Sequence, residues 1–201
     1  MTMLARWCHP LLLCGCVALS TACSAIPPLS AQVGARGAHL VMNGQKTSYG
    51  PRSPQTGAAL DLRVYPVLND EHWYVGGEEA LLTEWGTPCC DVWHVHALAG
   101  YAWVPRNPLS SVGLDLGAHV GFAKIPVNDY FATSWVSGVR ATPLFKLLCN
   151  ECDASSLVTY RLLLAPELGV TLYQPLSSAV RVPQTELHVG LALRFDVTVL
   201  Q

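Results

Sequence analysis

Hydrophobic and polar side chains alternate along most of this chain with a period of two residues. The clearest stretch is residues 112–123, where one face is wholly apolar and the other carries glycine, aspartate, histidine and alanine. Residues 186–199 repeat the pattern, with Leu, Val and Phe on one face and Glu, His, Gly, Arg and Asp on the other. Successive side chains of a β-strand point to opposite faces, so this period predicts strands.

Six further segments show the pattern more loosely, and turn residues such as Asn, Asp, Pro and Ser separate them. In the segment 73–85 the adjacent Glu78 and Glu79 leave one glutamate on whichever face is apolar. The fold class predicted is all-β, an eight-stranded antiparallel up-and-down β-barrel over residues 38–201. The predicted strands are residues 38–45, 58–68, 73–85, 92–104, 112–123, 134–147, 157–173 and 186–199. Longer loops are predicted at 46–57, 86–91, 126–133, 149–156 and 174–184.

The N-terminal region has the layout of an export signal. Arg6 precedes the apolar stretch 7–19, and small residues then lead to Cys23 in the sequence LSTAC. This sequence resembles a bacterial lipobox, whose cysteine is lipidated after cleavage. We therefore expect a signal peptide over residues 1–22, a lipid anchor at Cys23 and a linker over 23–37. Ordinary cleavage near Ala25 or Ala31 is the alternative.

The composition of the polar face indicates which side of the barrel is apolar. An eight-stranded barrel is either soluble with an apolar interior or embedded in a membrane with an apolar exterior. Only 13% of the residues are charged, and the chain has just three lysines. The polar faces are rich in Gly and Ala, which suit a narrow lumen better than a solvated surface. The apolar face is therefore expected to contact lipid.

Aromatic residues at the two ends of predicted strands support a membrane barrel. Trp93 and Trp103 lie on the apolar face of one strand, ten residues apart, and Trp135 and Phe145 do the same on another. Ten residues at about 3.3 Å each, on a strand tilted by about 40°, span roughly 25 Å along the barrel axis. That height is typical of an outer-membrane apolar band with an aromatic girdle at each edge.

With these strands and girdles the chain resembles the small outer-membrane barrels, such as the transmembrane domain of OmpA and the OmpX-like proteins. The resemblance is architectural and covers about residues 38–201. It implies a bacterial outer-membrane location, contact with membrane lipid, and other envelope proteins as candidate partners. We predict a structural, accessory or interaction role without enzymatic activity or cofactor. The net charge of −2 gives no indication of a nucleic-acid partner.

A second hypothesis is a lipid-tethered soluble periplasmic barrel that binds an apolar ligand, as lipocalins do. Under this hypothesis the apolar side chains of the strands line an internal cavity. The residues expected in that cavity are Trp93, Leu116, Leu162 and Leu191.

Four cysteines of the barrel region form two close pairs, Cys89 with Cys90 and Cys149 with Cys152. An exported protein meets an oxidising compartment, which favours disulfides. In a meander the two predicted loops open at opposite ends, too far apart for a bridge, because bridged Cα atoms lie within about 7 Å. We therefore predict local bridges, Cys149–Cys152 and Cys89–Cys90. A zinc site or a CxxC redox site is the alternative.

Three histidines are candidate metal ligands. His94 and His96 share a face, and a hairpin centred near residues 107–108 would place His96 beside His119. Three imidazoles with an open fourth position are a known zinc arrangement. The favoured interpretation, without a metal, is that they are interior polar residues hydrogen-bonded to Arg140, Asp115 or each other.

The remaining charges of the polar faces predict a salt-bridge ladder that plugs the lumen, because buried charges need partners. The serine pairs 110–111, 155–156 and 177–178 lie beside no obvious catalytic partner, in keeping with a non-enzymatic role. The charged residues assigned to the lumen are Arg63, Arg140, Arg161, Arg194, Asp61, Asp115, Glu167, Glu186 and Asp196.

Overall fold

Eight antiparallel strands close into a barrel in which each strand pairs with its neighbours in the sequence and β8 pairs with β1. The computed structural model describes residues 27–41, 54–66, 72–84, 87–104, 112–127, 130–149, 158–175 and 184–199. It confirms the predicted all-β, eight-stranded antiparallel up-and-down barrel. The strands are β1 (Leu29–Val41), β2 (Gln55–Val64), β3 (Trp73–Glu84), β4 (Thr87–Trp103), β5 (Val112–Val127), β6 (Tyr130–Cys149), β7 (Val158–Pro175) and β8 (Thr185–Val199).

The register of the strand pairs fixes the tilt of the strands relative to the barrel axis. A path of paired residues that starts at Ala31 on β1 returns to β1 at Val41, ten residues further along the strand. The path runs through Leu62, Gly77, Ala97, Val120, Ser137, Leu172 and Thr185. Such a stagger in an eight-stranded barrel corresponds to strands tilted by about 40° from the axis. We call the end at which β1 begins the proximal end and the other the distal end.

The apolar side chains of the strands face outward. On β5, Leu116 is 51% exposed while its neighbour Asp115 is fully buried. The soluble, lipocalin-like alternative is therefore wrong, because the apolar residues that it placed in a cavity lie on the outer face. Leu116 and Leu191 are exposed there, and Trp93 and Leu162 alternate with buried inward neighbours on their strands.

The first strand begins earlier than the sequence predicted. β1 starts at Leu29, so residues 29–37 of the predicted linker 23–37 belong to the barrel wall. The outward side chains here are mostly small, which weakens the alternation, whereas the inward ones include Ser30, Gln32 and Arg36. The predicted signal peptide, Cys23 and residues 42–45 of the first predicted strand lie outside the described residues.

Two predicted loops are shorter than expected. β4 begins at Thr87 and β6 at Tyr130, so two residues, 85–86 and 128–129, separate β3 from β4 and β5 from β6. Both connections lie at the distal end. None of the described segments contains a helix long and apolar enough to cross a membrane.

Candidate functional site

The lumen of the barrel is filled by buried charged side chains. Five arginines and six carboxylates are buried there among the described residues. They are Arg36, Arg63, Arg140, Arg161, Arg194, Asp61, Glu78, Asp115, Glu167, Glu186 and Asp196. All nine charged residues that the sequence assigned to the lumen are among them. Burying unpaired charge is costly, so the arrangement of these groups determines whether the barrel is stable.

Near the proximal end, Asp115 is the centre of an ion-pair cluster. Arg63 donates to its carboxylate, and so does Arg194 at 2.8 Å. The Tyr74 hydroxyl donates to the other carboxylate oxygen, Oδ1, at 2.8 Å. Arg194 also donates to Asp196 at 2.8 Å. Each carboxylate oxygen of Asp115 thus has a donor from another strand, and four strands are joined across the lumen.

In the middle of the barrel, two arginines and two glutamates form a closed group. Arg36 donates to Glu78 at 2.7 Å and to Glu167 at 2.6 Å. Arg140 approaches the same two carboxylates at 2.6 and 3.3 Å, and its Nη2 lies 2.8 Å from Asp61. Charge-assisted hydrogen bonds of this kind are stronger than neutral ones. This group links β1, β2, β3, β6 and β7.

A layer of histidines lies distal to the arginines. Nδ1 of His94 is 3.3 Å from Nε2 of His96, and Nδ1 of His96 is 3.2 Å from Glu78. The rings of His96 and His119 stack with centroids 4.6 Å apart. The Tyr173 hydroxyl lies 3.2 Å from Nε2 of His94. The predicted proximity of the three candidate histidines is therefore confirmed.

The geometry of these histidines is not that of a metal centre. The His96 and His119 rings stack with an angle of 19° between their planes, so their nitrogens do not converge on one point. Nε2 of His119 lies 3.0 Å from the Thr171 hydroxyl instead. No group of three or more His, Cys, Asp or Glu side chains within the described segments is arranged to hold a metal ion. The interpretation as interior polar residues bonded to each other fits this arrangement.

Inward-facing glycines make room for the buried rings. A Cβ at Gly138 would lie 2.5 Å from the His119 ring and 2.2 Å from the Val170 carbonyl oxygen. A Cβ at Gly169 would lie 2.3 Å from Nε2 of His188. Contacts this short do not occur with real Cβ atoms, so a side chain at Gly138 would force the backbone to shift, and one at Gly169 would force the His188 ring to move. The glycine-rich polar face noted in the sequence is thus the wall against which the lumen side chains pack.

Apolar side chains close the lumen on both sides of the charged layers. The distal group includes Leu82, Val92, Ile125 and Val136, and a proximal group includes Leu144 and Leu163. A cavity beside Arg36 and Glu167 measures about 10 Å³, which is room for about one water molecule. The described part of the lumen is therefore a packed core, as expected for eight strands.

Aromatic side chains lie at both ends of the outer surface, and we call them the distal girdle, on the adjacent strands β4, β5 and β6, and the proximal girdle. The distal one includes Trp93, Phe122 and Trp135, and the Phe122 and Trp135 rings lie with centroids 4.2 Å apart. The aromatic residues of the proximal girdle are Trp73, Tyr101, Trp103, Phe145, Tyr160 and Phe195. Trp93 with Trp103, and Trp135 with Phe145, lie at opposite ends of the outer faces of β4 and β6, as predicted. The surface between the girdles is dominated by Leu, Val and Ala.

One outward carboxylate, Glu79, lies on the side of the distal girdle that faces the apolar band. It accepts a hydrogen bond from the Trp93 indole nitrogen at 2.9 Å. The Lys124 ammonium lies over the Trp93 ring, 5.3 Å from its centroid. The polar atoms of this trio are therefore gathered around the amphipathic indole, which is the usual position of such groups at a membrane interface.

The predicted disulfides stay predictions. The half-buried Cys149 ends β6, and its predicted partner Cys152 lies outside the described residues. Cys89 and Cys90 lie in β4, not in the predicted loop 86–91. They lie in the distal part of β4, whereas Cys149 is at the proximal end of β6.

Several lumen residues were not identified from the sequence. The predicted linker 23–37 contains Arg36, and the sequence alone does not show which of the adjacent Glu78 and Glu79 points inward. His188 alternates inward with Glu186, but nothing in its neighbourhood along the chain distinguished it. Residues that pair directly across two strands point to the same face of the sheet. Because Glu78 pairs with Asp61 and with His96, which both point inward, the pairing identifies Glu78 as inward.

The architecture and the lumen together define a class: small closed barrels with an apolar outer band and a polar, packed interior. No protein-family model matches this chain, and no curated protein sequence matches it. Among solved structures, neisserial surface protein A is similar, with a TM-score of 0.52, 13% identity, and coverage of 85% of this chain and 96% of that one.

Ail, the attachment invasion locus protein of Yersinia pestis, shares 13% identity over 85% of this chain and 98% of its own, with a TM-score of 0.41. OprG, an outer membrane protein from Pseudomonas aeruginosa, shares 11% identity over 88% of this chain and 98% of its own, with a TM-score of 0.38. The likeness to neisserial surface protein A establishes the fold: this chain has the fold of the small eight-stranded outer-membrane barrels.

Proposed function

We propose that this protein is an integral β-barrel of a bacterial outer membrane, with a structural, accessory or interaction role. One observation carries the proposal: apart from Glu79 at its distal edge, the exposed surface between the two aromatic girdles is apolar, while five arginines and six carboxylates of the described residues are buried inside. A soluble protein rarely exposes a large continuous apolar surface. In a bilayer the same surface contacts acyl chains, and the girdles lie at the headgroup levels.

The packed lumen supports a non-enzymatic role without a cofactor. The arginines, carboxylates and histidines that could react or bind a ligand are buried and engaged with one another. Catalysis and transport both require access for a substrate, and the described lumen is filled. Membrane lipid is the proposed contact of the outer surface, and other envelope proteins are the proposed partners at the barrel ends.

We further propose that residues 1–22 are a signal peptide and that Cys23 is lipidated. β1 begins at Leu29 at the proximal end, six residues after Cys23. Six residues span at most about 20 Å when extended. A lipid on Cys23 would therefore enter the bilayer leaflet next to the proximal girdle, so that the anchor and the barrel hold the same membrane.

Fractionation of a barrel that lacks the lipid tests the location. Residues 24–201 are exported behind the cleavable signal peptide of a secreted protein, beside the full-length chain as control. Membranes are separated on a density gradient, washed with alkaline carbonate and then dissolved in detergent. Both proteins are expected in the outer-membrane fraction, resistant to carbonate and released by detergent. Recovery of the unlipidated barrel in the soluble periplasmic fraction would overturn the proposal.

A further inference from the structure

One ladder of the barrel wall, between β6 and β7, is interrupted between the levels of the two girdles. Its pairs run from Ser134 to Ala141 on β6 and resume at Phe145, which pairs with Leu164 in the same register. The three pairs that would fill the interruption and are not formed are Thr142 with Glu167, Pro143 with Pro166 and Leu144 with Ala165. The other seven ladders, over their described residues, have no missing pair between the girdles. The interruption is therefore particular to this part of the wall.

Two prolines that face each other explain the interruption. Pro143 and Pro166 would pair with each other in this register, and proline has no N–H to donate. Each proline keeps its place in the ladder on its other side, with Leu114 on β5 and with Leu191 on β8. A hydrogen-bonded pair of an antiparallel ladder exchanges both of its N–H···O bonds. Both missing donors and both proline carbonyls therefore point into the space between β6 and β7.

The interruption leaves main-chain acceptors without donors from the facing strand. In a bilayer no water replaces those donors, so such a position in the wall is costly. Prolines are accordingly confined to edges or bulges of most sheets. The neighbouring Thr142 is buried on the lumen side, and its hydroxyl has no hydrogen-bond partner either. The two strands are therefore held together less firmly here than elsewhere in the wall.

The irregularity continues on the proximal side of the prolines. Two pairs follow the interruption, and the register then shifts between Lys146 and Leu148, where Leu147 and Leu148 are both exposed. We call this stretch the seam, and it consists of residues 143–148 of β6 and 162–166 of β7. From the prolines to the proximal girdle, the seam contains few of the regular pairs that join the strands elsewhere.

Both surfaces of the seam are largely apolar. On the lumen side, Leu144, Leu163 and Ala165 are fully buried and belong to the proximal apolar group. On the outer side, Phe145 is part of the proximal girdle. The charged residue of the seam, Lys146, is half-buried near the proximal end of β6. Parting β6 from β7 at the seam therefore joins an apolar interior to an apolar exterior.

We propose that the barrel wall opens laterally at the seam and admits an acyl chain of a surrounding lipid to the proximal apolar group. Opening here breaks few ladder pairs and exposes mainly apolar side chains, which lipid solvates as well as the lumen does. At any other strand pair an unbroken ladder would have to part, and its donors and acceptors would be left unpaired in lipid. The entry of an acyl chain rests on the proposed membrane location, whereas the opening itself does not.

The charged layer in the middle of the barrel sets the distal limit of this opening. Immediately distal to the prolines, Arg140 of β6 lies 3.3 Å from Glu167 of β7, and Arg36 of β1 donates to the same carboxylate at 2.6 Å. These contacts hold the distal parts of the strands together, because separating them leaves buried charges unpaired. The charged layers therefore stay closed while the proximal part of the wall opens.

Hydrogen exchange of single amides, followed by NMR in detergent micelles, tests the opening. Relative to their intrinsic rates, the amides of Phe145 and Leu164 are expected to exchange at least about tenfold faster than that of Leu193, which pairs with Leu164 and lies in unbroken ladders. The double variant Pro143→Val, Pro166→Val restores both donors and should remove this difference. The matched control Pro126→Val, in β5, should leave it unchanged. Equal rates in the natural chain, or no slowing in the double variant, would overturn the opening.

The entry of an acyl chain is tested in phosphatidylcholine vesicles that contain a fatty acid with a maleimide at its chain end. The natural cysteines are replaced by serine, and single cysteines are placed at two buried apolar positions, Ala165→Cys at the seam and Ala102→Cys on β4. Labelling at position 165 is expected to be at least tenfold faster than at position 102, and Pro143→Val with Pro166→Val should abolish the difference.

A third cysteine separates failure of the seam from failure of the proposed location. Leu116→Cys lies on the exposed outer face, midway along the apolar band, and is expected to be labelled rapidly. Labelling there, with equal rates at the two buried positions, would refute the entry of acyl chains at the seam alone. No labelling at position 116 would count against the membrane location, and with it against any contact of the seam with acyl chains.

Discussion

At the scale of single residues, this barrel is held together from inside by charge pairing and close packing against glycine. Many of the paired charged side chains are far apart along the chain and meet only when the barrel closes, as Arg36 and Glu167 do. Buried ion pairs often add little net stability compared with apolar groups, yet removal of one partner is costly. The lumen network therefore specifies this closed arrangement because any other leaves buried charges unpaired.

A comparison of variants at the two adjacent glutamates of β3 separates the contribution of the lumen network from a general effect of losing one negative charge. Glu78→Gln removes a carboxylate that Arg36 and Arg140 both contact, and it is expected to lower the free energy of unfolding by about 3 kcal/mol or more. Glu79→Gln alters an outward side chain bonded to Trp93 and should change it by less than about 1 kcal/mol. Urea unfolding in detergent micelles measures both. Equal effects of the two variants would show that the lumen network does not contribute as described.

Two glycines on opposite faces of the wall test the packing. Gly138→Ala places a Cβ 2.2 Å from the Val170 carbonyl oxygen and 2.5 Å from the His119 ring. Overpacking of this kind typically costs about 1–3 kcal/mol. At the outward Gly37 the nearest atoms lie at 3.9 Å, so Gly37→Ala should be neutral within about 0.5 kcal/mol. The same unfolding assay decides, and a Gly138→Ala barrel as stable as the natural one would refute the packing argument.

At the scale of strands, alternation was sufficient to predict the fold class, and it failed where the two faces differ little. β5 and β8 have one wholly or nearly apolar face, so their inward and outward sides were read from the sequence. On β1 the outward Ala31, Ala35 and Gly37 are as small as many inward residues, so the sequence predicts its first nine residues as linker. On β3 the choice between Glu78 and Glu79 depends on cross-strand partners, which are remote in sequence.

The candidate site was predictable in composition but not in connectivity. The alternation of side chains predicts that Arg140 and Glu167 point into the lumen. Which arginine reaches which carboxylate depends on the ten-residue stagger of the barrel, and no short segment of sequence contains that information. The contact between His188 and Glu167 is an example, because these residues lie on neighbouring strands and neither has a distinctive local motif.

The outer faces of the strands give a prediction that depends on depth. Leu168 and Phe131 are similarly exposed, 62% and 67%. Leu168 pairs with Ala141, midway between the girdle residues Trp135 and Phe145, whereas Phe131 lies four residues distal to Trp135. In lipid, Leu168→Arg is expected to cost about 2–4 kcal/mol and Phe131→Arg about 0–1 kcal/mol. Urea unfolding from phospholipid vesicles measures this, and equal costs would argue against a lipid-facing band.

At the scale of the whole molecule, the barrel is a wall built around a solid core. Its eight strands and ten-residue stagger fix a narrow interior, and the sequence fills that interior with arginines, carboxylates and histidine rings between two apolar layers. The outer surface between the girdles is left apolar. Because side chains alternate along each strand, its outer face is apolar and its inner face contributes polar groups to the packed core.

A filled lumen predicts that the barrel does not conduct ions. An ion crossing the barrel would have to displace Arg36, Glu78, Arg140 and Glu167 from contacts of 2.6–3.3 Å. Each displacement leaves a buried charge without its partner, at a cost of several kcal/mol. The purified protein, reconstituted in a planar bilayer at neutral pH, is therefore expected to give no steady conductance steps, beside an open porin as positive control. Regular steps from the natural chain would mean that the charged layers part readily, and that the lumen is a gate instead of a core.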